Sequence, residues 1–573
     1  MKSVISAFQK VLSKVEIPLA TGSFPEQFAL KRFAKKFEVP DRSKAHERKG
    51  KTFQTWVDYD QSLSWNPLPE GGWYRARLDL AKVLSSFRLG DLEFTPGSSS
   101  EPLRNRQSVP RKLITHHWEC SAEAADLFVD MAVGDHAFIR AAKIRVRKSL
   151  GDERYRCTVG RIFAYRRNPD DVRRYLLYSC LRCREASRFS VVPKNNEVDR
   201  SIDLQPFINM LIQRAIGVGL RRVIKEFYGV DLTVAQGIHR RKIADPSVAT
   251  IDLKNASDSN TWDLCDFLLP KWFVALLRKA TPLYVEGLDG QYYMTKKVSS
   301  MGNGFTFELM NLILLAYVRQ YDTQALVFGD DIIVSNAVAD RVILGLRSAG
   351  WVVNDQKSFI NSSFRESCGA NYHDDHGYIR SYDFVWPEDI GDCIVFWTKC
   401  LQLRGIPFFD TLVRLLYRTI PVALRGPCID NIPSDVVAGL TDRESLTDGY
   451  FADLNAKERL IEPDLAPDAE AYGWSAASRH VGFTFAPSVD VSPRSQIAPS
   501  RHPLLLFWYL WGGRTSAITL TGLGDWVKVG YIDTGSFSIR EKALVKTRKG
   551  MSQLSLKGLE YWLYRRSGLV GNC

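Results

Sequence analysis

Residues 325–334 read Ala-Leu-Val-Phe-Gly-Asp-Asp-Ile-Ile-Val, two adjacent carboxylates at a glycine between apolar, β-branched flanks. The flanks predict two short buried strands, and Gly329-Asp330 between them predicts the tight turn of a hairpin. Such a hairpin lifts Asp330 and Asp331 to the tip of a sheet, where packing neutralises neither. Neighbouring carboxylates repel each other and call for a cation, and hard divalent ions such as Mg2+ prefer carboxylate oxygen. An ordinary exposed turn carries the same residues, so the rest of the chain must discriminate.

Seventy-eight residues before Asp330 stands Asp252, at the end of the β-branched run Val248-Ala-Thr-Ile. If that strand pairs with the hairpin, Asp252 and Asp330 face one another and can share two cations. Two metals about 3.5–4 Å apart stabilise both the attacking and the leaving oxygen of an in-line displacement. In nucleotidyl transfer these oxygens belong to a primer 3′-hydroxyl and to pyrophosphate. Asp258 follows about one turn later, in reach of a nucleotide sugar rather than of the metals. Between the two acidic segments, Ser299-Ser-Met-Gly-Asn-Gly-Phe sets Gly302 and Gly304 before a run to about Gln320 that reads as a buried helix. A glycine loop opening into a helix can approach a ligand closely and cradle a nucleotide or template base. Upstream, Lys194 and Arg200 stand in an irregular polar segment and suit a triphosphate, which Arg clamps bidentately. Downstream, Lys357 closes a second strand-like run and is a candidate general acid for departing pyrophosphate. A solvent-facing lysine is its plain alternative, as a surface loop is for Lys194 and Arg200.

The bulk composition is compatible with such a site. The 573 residues are 45% hydrophobic and 12% aromatic, which predicts a folded chain with several subdomains. A formal charge of +13 favours a polyanionic partner, nucleic acid or an anionic surface. The longest apolar run, Leu504 to Trp511, is eight residues, against roughly 20 needed to span a bilayer. The first twenty residues read as an amphipathic helix, interrupted by Lys10 and Lys14, rather than as a signal peptide. Ten cysteines form no framework: Cys180 and Cys183 are the one close pair, and they read as reduced and structural, in keeping with a cytosolic setting. His116, His117 and Cys120 read as a partly buried face rather than a metal cluster. Basic residues recur from Arg140 through Lys143, Arg145, Arg147, Lys148, Arg161, Arg166 and Arg167 to Arg173 and Arg174, either a solvated face or the lining of a phosphate-backbone channel. Pro96 to Ser100 reads as a surface loop. A second basic cluster runs from Arg540 to Lys549 and on to Arg565-Arg566, in a proline-bearing C-terminal third to which no chemistry attaches.

The order of these signals narrows the reading. VPKNNEVDR (192–200), ATIDLKNASDS (249–259), SSMGNGFTFEL (299–309), FGDDII (328–333) and FRESCG (364–369) together resemble the replicase catalytic subunits of the single-stranded RNA bacteriophages, the levivirus group. The resemblance covers about residues 190–370. It implies an α+β, right-hand polymerase fold of fingers, palm and thumb, with an antiparallel palm sheet flanked by helices. The domains expected from it are an N-terminal region at 1–110 and fingers at 111–248. A palm follows at 249–375, with a fingers insertion near 262–297, and then a thumb and C-terminal region at 376–573. The implied activity is RNA-directed RNA synthesis from nucleoside triphosphates by two-metal nucleotidyl transfer, begun without a primer. A reverse transcriptase and a non-catalytic, basic RNA-binding viral protein are the alternatives.

Residue by residue, the resemblance implies that Asp252, Asp330 and Asp331 hold two Mg2+ ions, for which Mn2+ or Ca2+ can substitute. It implies that Asp258 and Asn303, with Ser300 and Gly302, meet the ribose 2′-hydroxyl that separates RNA from DNA precursors. Lys194 and Arg200 fall on triphosphate-contacting positions, and Lys357 on the proposed acid. Implied partners are the RNA template and product, host elongation factors Tu and Ts, and a host ribosomal RNA-binding protein, in the cytoplasm of an infected bacterium. Phe328 departs from the family's usual tyrosine, Lys254-Asn255 replace small residues, and Asn260-Thr261 also depart.

Overall fold

The computed structural model describes residues 2–19, 22–36, 45–64, 71–94, 113, 118–194 and 199–382, with shorter pieces as far as 419 and strands at 518–521 and 528–531. The chain divides into two compact units, residues 41–378 and residues 1–40 together with 379–573. In the second unit the expected amphipathic helix is present. Helix α1 (Lys2–Leu12) buries Phe8 and Leu12 and exposes Lys10. Helix α2 (Phe24–Lys36) adds Phe33, and edge-to-face contacts join Phe8 and Phe33 to Phe384, Phe396 and Phe409. Each such pair contributes about 0.5–1.5 kcal/mol beyond burial. Among the described residues no helix is long and apolar enough to cross a membrane.

The unit of residues 41–378 begins with helices α3 (Ala45–Ser62) and α4 (Gly71–Leu84). Strand β1 (Trp118–Cys120) follows, then α5 (Ala122–Ala132), α6 (His136–Leu150), α7 (Asp152–Arg166), α8 (Pro169–Tyr178) and β2 (Leu181–Cys183), parallel to β1. The basic run 140–174 therefore lies on three helices. Capping residues mark two of their starts: Asp135 accepts the amides of Ala137 and Phe138, and Asn168 precedes a proline at the first turn of α8. Helix α7 buries none of its side chains completely. Part of the basic charge is tied up in surface pairs, Arg147 with Asp152, Arg173 with Asp170 and Arg174 with Asp130. Arg140, Lys143, Arg161, Arg166 and Arg167 are exposed. The loop at 96–100, His116-His117 and the basic cluster beyond 540 lie outside the described residues.

Next come β3 (Ala186–Pro193), β4 (Asp199–Leu204), α9 (Phe207–Tyr228), α10 (Ala235–Lys242) and β5 (Val248–Lys254). They lead to α11 (Trp262–Leu268), α12 (Lys271–Ala280), β6 (Tyr284–Glu286), β7 (Tyr292–Tyr293) and α13 (Thr306–Val318). The unit then runs through β8 (Leu326–Phe328), β9 (Asp331–Ser335), α14 (Ala339–Ser348) and β10 (Val352–Val353) to a small sheet of β11 (Phe364–Ser367), β12 (Ala370–His373) and β13 (Gly377–Ile379). One four-stranded sheet has the order β4-β3-β6-β7 and another the order β10-β5-β9-β8, the latter antiparallel throughout. The fold is thus α+β, with an antiparallel sheet against helices. Strand β5 is apolar in succession because both faces are covered. Ile251 and Leu253 enter the main core, while Val248 packs with Ile333 in a smaller cluster. Helix α13 is apolar all round and buried all round, as the run to about Gln320 predicted. Its one charged residue, Glu308, is buried beside Arg221 at 2.6 Å, and its Asn311 is buried as well.

Candidate active site

The predicted hairpin is present, and its register differs from expectation in one respect. Strands β8 and β9 flank the turn, and Gly329 takes a positive φ of 66° that a side chain would strain. The Gly329 amide donates to Asn311 Oδ1 at 3.1 Å, anchoring the turn to α13. Because Gly329 and Asp330 form the turn, Asp331 is the first paired residue of β9. It is Asp331, not Asp330, that stands directly opposite Asp252. Asp330 is exposed at the turn, and its carbonyl accepts the Leu253 amide at 3.1 Å. Asp331 is largely buried, against the expectation that packing would spare both carboxylates.

Burial and the neighbouring charges act together on these groups. Burial pushes the Asp331 carboxyl up to about 7; Asp330 beside it, Asp252 and Glu366 push the same way, while the Cys368 amide, donating at 3.0 Å, opposes them. Asp252 is also raised, by burial first, although Asn354 Nδ2 donates to its Oδ2 at 2.5 Å and Lys357 is near enough to favour its charge. Its backbone is held as well: the Asp252 amide donates to Ser358 Oγ at 3.1 Å, and its carbonyl accepts from Asn354. Glu366 on β11 is a member of this acidic group that sequence reasoning passed over. It lay inside a quoted string, FRESCG, but only the docking of β11 beside β5 and β9 gives it a place at the acids. Among the described residues no three His, Cys, Asp or Glu side chains stand close enough to hold an ion as they lie. The donor set nevertheless fits a hard cation, since partly desolvated carboxylates that raise one another's proton affinity are the groups such an ion relieves.

A second set of predicted residues gathers beside the first. Asp258 lies on a short 3-10 turn (Ala256–Ser259) after β5, and Ser300 is near enough to favour its charge. Asn303 uses its Oδ1 on the Phe305 amide at 3.0 Å, while its Nδ2 is buried with no partner. The glycines of this loop serve the protein's own packing rather than a ligand's approach. At Gly302 (φ +111°) a Cβ would sit 2.4 Å from the Asp203 carbonyl oxygen, and at Gly304 2.8 Å from the Arg214 amide of α9. Gly302→Ala is therefore expected to cost about 1–3 kcal/mol in backbone strain alone. The clash also threatens the 2.8 Å bond from the Asp203 amide to the Met301 carbonyl. Thermal melts should show the loss, and an unchanged melting temperature would contradict it.

Lys194 and Arg200 lie at the tip of the β3–β4 hairpin, Arg200 on β4 opposite Val192 rather than in irregular chain. Residues 195–198 between them lie outside the described residues. Lys357 is exposed in the turn after β10, its amide bonded to the Asn354 carbonyl. Cys120, buried on β1, and Cys183, exposed opposite it on β2, are thiols outside any disulfide.

Behind the hairpin, His239 of α10 is buried with Nδ1 2.9 Å from Ser367 Oγ and its ring against Phe328, while Nε2 has no partner. Burial holds this imidazole well below its usual range, at about 4. The unfolded chain, with an ordinary value near 6.5, binds the extra proton first. Stability supplied by His239 is thus present above pH 6.5 and lost as pH falls towards 4, by at most about 3 kcal/mol. Denaturant melts of the parent and of His239→Gln should differ most near pH 7 and converge near pH 4; a constant difference would rule this out.

Comparison with known proteins agrees with this geometry. The family described as RNA replicase, beta-chain matches residues 71–380, which is more than half of the chain. The RNA-directed RNA polymerase subunit beta of Escherichia virus Qbeta is 38% identical over 196 residues, 32% of this chain and 32% of that protein. The RNA-directed RNA polymerase beta chain of Escherichia phage MS2 is 37% identical over 192 residues, 32% of this chain and 35% of that one. That of Enterobacteria phage GA is 36% identical over 223 residues, 37% and 41%. In these alignments the chain spans about a third of the length of the curated relatives it matches first. With the family's match running through both acidic strands, the glycine loop and β11, the chain belongs to the RNA replicase beta-chain family.

Proposed function

We propose that this chain is an RNA-directed RNA polymerase that copies a single-stranded RNA phage genome from nucleoside triphosphates. The observation carrying the proposal is the antiparallel register that sets Asp252 opposite Asp331, with Asp330 at the adjacent turn. In this reading Asp252, Asp330 and Asp331 hold two Mg2+ ions, with Glu366 as a further carboxylate at their edge. Bound there, such ions lower the proton affinity of the 3′-hydroxyl and offset charge on the leaving pyrophosphate. The protein's own groups do the remainder. Asn354 fixes the Asp252 carboxylate, Lys357 delivers a proton towards the pyrophosphate, and Lys194 and Arg200 meet the triphosphate. Asp258, Ser300 and Asn303 form the ribose side of the site, and Gly302 lets their loop pack against the Asp203 backbone.

In the same reading residues 111–248 act as fingers, 249–375 as palm and 376–573 as thumb and C-terminal region, with initiation needing no primer. The exposed arginines of α6 and α7 suit an RNA backbone. Host elongation factors Tu and Ts and a host ribosomal RNA-binding protein are the partners to seek, in the cytoplasm of the infected bacterium. The test is incorporation of labelled ribonucleotides by the purified chain on an RNA template, with and without Mg2+ and host extract. Mg2+-dependent, template-dependent product is expected. Efficient use of deoxynucleotides on the same template would favour a reverse transcriptase instead, and template binding with no synthesis under any condition would favour the non-catalytic reading.

A further inference from the structure

Beneath the ribose side of the site lies a lysine that the proposed chemistry does not use. Lys297 is 2% exposed. Lysines are almost never buried to this degree unless paired. Its Nζ stands 3.4 Å from Asp258 Oδ1 and 4.3 Å from the centre of the Trp56 ring on α3, so the ammonium sits between a carboxylate and an aromatic face. The approach to Asp258 falls short of hydrogen-bond geometry, leaving both atoms without such a partner. Asp60 of α3 accepts the amides of Lys296 and Lys297, and Asp203 of β4 is close enough for the ammonium to favour its charge. Of these three carboxylates Asp258 meets the buried ammonium directly, Asp203 stands within its electrostatic reach, and Asp60 fastens the backbone that carries it. Asp258 is the one of them that also reaches outward, with 14% of its side chain exposed.

The segments that carry Asp258 and Lys297 hold further unsatisfied polar atoms. Asn303 Nδ2, Ser299 Oγ and both side-chain polar atoms of Asn260 are buried without partners. Native interiors leave few such groups unpaired, so each calls for a polar partner that the fold itself does not supply. A sugar bearing vicinal hydroxyls, each both donor and acceptor, matches that mixture.

Resting on the polymerase reading of Asp258, we infer that Lys297 is a positioning residue for sugar selection. It holds the Asp258 carboxylate, from beneath, in the place where it meets the ribose 2′-hydroxyl of the incoming nucleotide. The lysine touches no substrate. Its role is to keep Asp258 ionised and aimed while Trp56 and Asp60 keep the lysine from turning away.

The experiment compares kcat/KM for a ribonucleoside triphosphate with that for its 2′-deoxy analogue on one RNA template. Lys297→Met, Lys297→Arg, Asp258→Asn and the double variant Asp258→Asn/Lys297→Met are assayed beside the parent chain. Discrimination in Lys297→Met should fall by about tenfold or more, expressed mainly in KM for the ribonucleotide, because a site built around a substrate hydroxyl loses selectivity when its partner is misplaced. Lys297→Arg should keep most of it, and the double variant should match Asp258→Asn alone. A folded Lys297→Met with the parent's ratio overturns the inference, as does a double variant less selective than Asp258→Asn. Should Lys297→Met fail to fold, the double variant, which also removes the carboxylate nearest the lost cation, decides by the same comparison. A parent chain that makes no RNA, or an Asp258→Asn variant with undiminished selectivity, instead refutes the underlying reading of the site.

Discussion

Asp330→Asn is expected to lower template-directed RNA synthesis by about a thousandfold or more while leaving template affinity within roughly threefold of the parent. The argument starts from the exposed position of Asp330 at the turn. It contributes no side-chain packing there, so the amide fits without loss of fold. What is lost is one of the negative charges that attract divalent cations, and metal stabilisation of a phosphoryl transition state is worth several kcal/mol, each 1.36 of which is a factor of ten in rate. In the proposed reading template affinity rests on cations elsewhere, for which the exposed Arg140, Lys143, Arg161 and Arg166 are available. Asp331→Asn is the informative companion. Asn can still accept the Cys368 amide bond, and it removes a charge that burial and three neighbouring carboxylates disfavour. It should therefore lose synthesis without any fall in melting temperature. Filter binding and single-nucleotide extension measure the two quantities separately. A variant at position 330 that still extends RNA at the parent's rate would remove the metal assignment at this turn.

The parts of this site that were legible in the sequence are those whose chemistry is local. A glycine-acid pair between β-branched runs specifies a hairpin through turn geometry alone, and β8, Gly329 and β9 occur where the string placed them. A helix apolar on every side is buried on every side, as α13 is. Pairing partners are less accessible, because register depends on which residue the turn consumes. One residue of difference in the turn moved the partner of Asp252 from Asp330 to Asp331. Glycine roles were misread for a related reason. The sequence records that Gly302 can approach something closely, not that the neighbour is the Asp203 backbone contributed by a strand some hundred residues earlier. Groups such as Glu366, Lys297 and His239 matter only through elements distant in the chain, and nothing in their immediate neighbours distinguishes them from surface or core residues.

Arg365→Met is expected to lower stability by about 2–4 kcal/mol, chiefly the cost of leaving two carbonyls without their charged donor, since the paired Asp374 is itself exposed. Arg365 is 1% exposed and spends its guanidinium completely: Nε donates to the Ile243 carbonyl and Nη1 to the Ser362 carbonyl, each at 2.7 Å, and Nη2 to the Asp374 carboxylate. The ring of Tyr372, its cross-strand neighbour, lies 5.5 Å from the guanidinium carbon. Methionine fills the space of the side-chain stem but leaves the two carbonyls without these donors, and unmade buried hydrogen bonds cost about 1–3 kcal/mol each. Lysine keeps a charge but cannot replace a planar fork that reaches three acceptors, so Arg365→Lys should recover only a minor part. The consequence reaches the acidic site because Arg365 fastens β11 to the end of α10, and that strand carries Glu366 and leads to the Cys368 amide on Asp331. For a unit of this size the loss corresponds to a fall in melting temperature on the order of 10 °C. At temperatures where the variant is still folded, its synthesis should persist at a reduced rate, unlike that of Asp330→Asn. A melting temperature within a degree or two of the parent would show that β11 is held by its pairing with β12 alone, and that the buried arginine is dispensable to the fold.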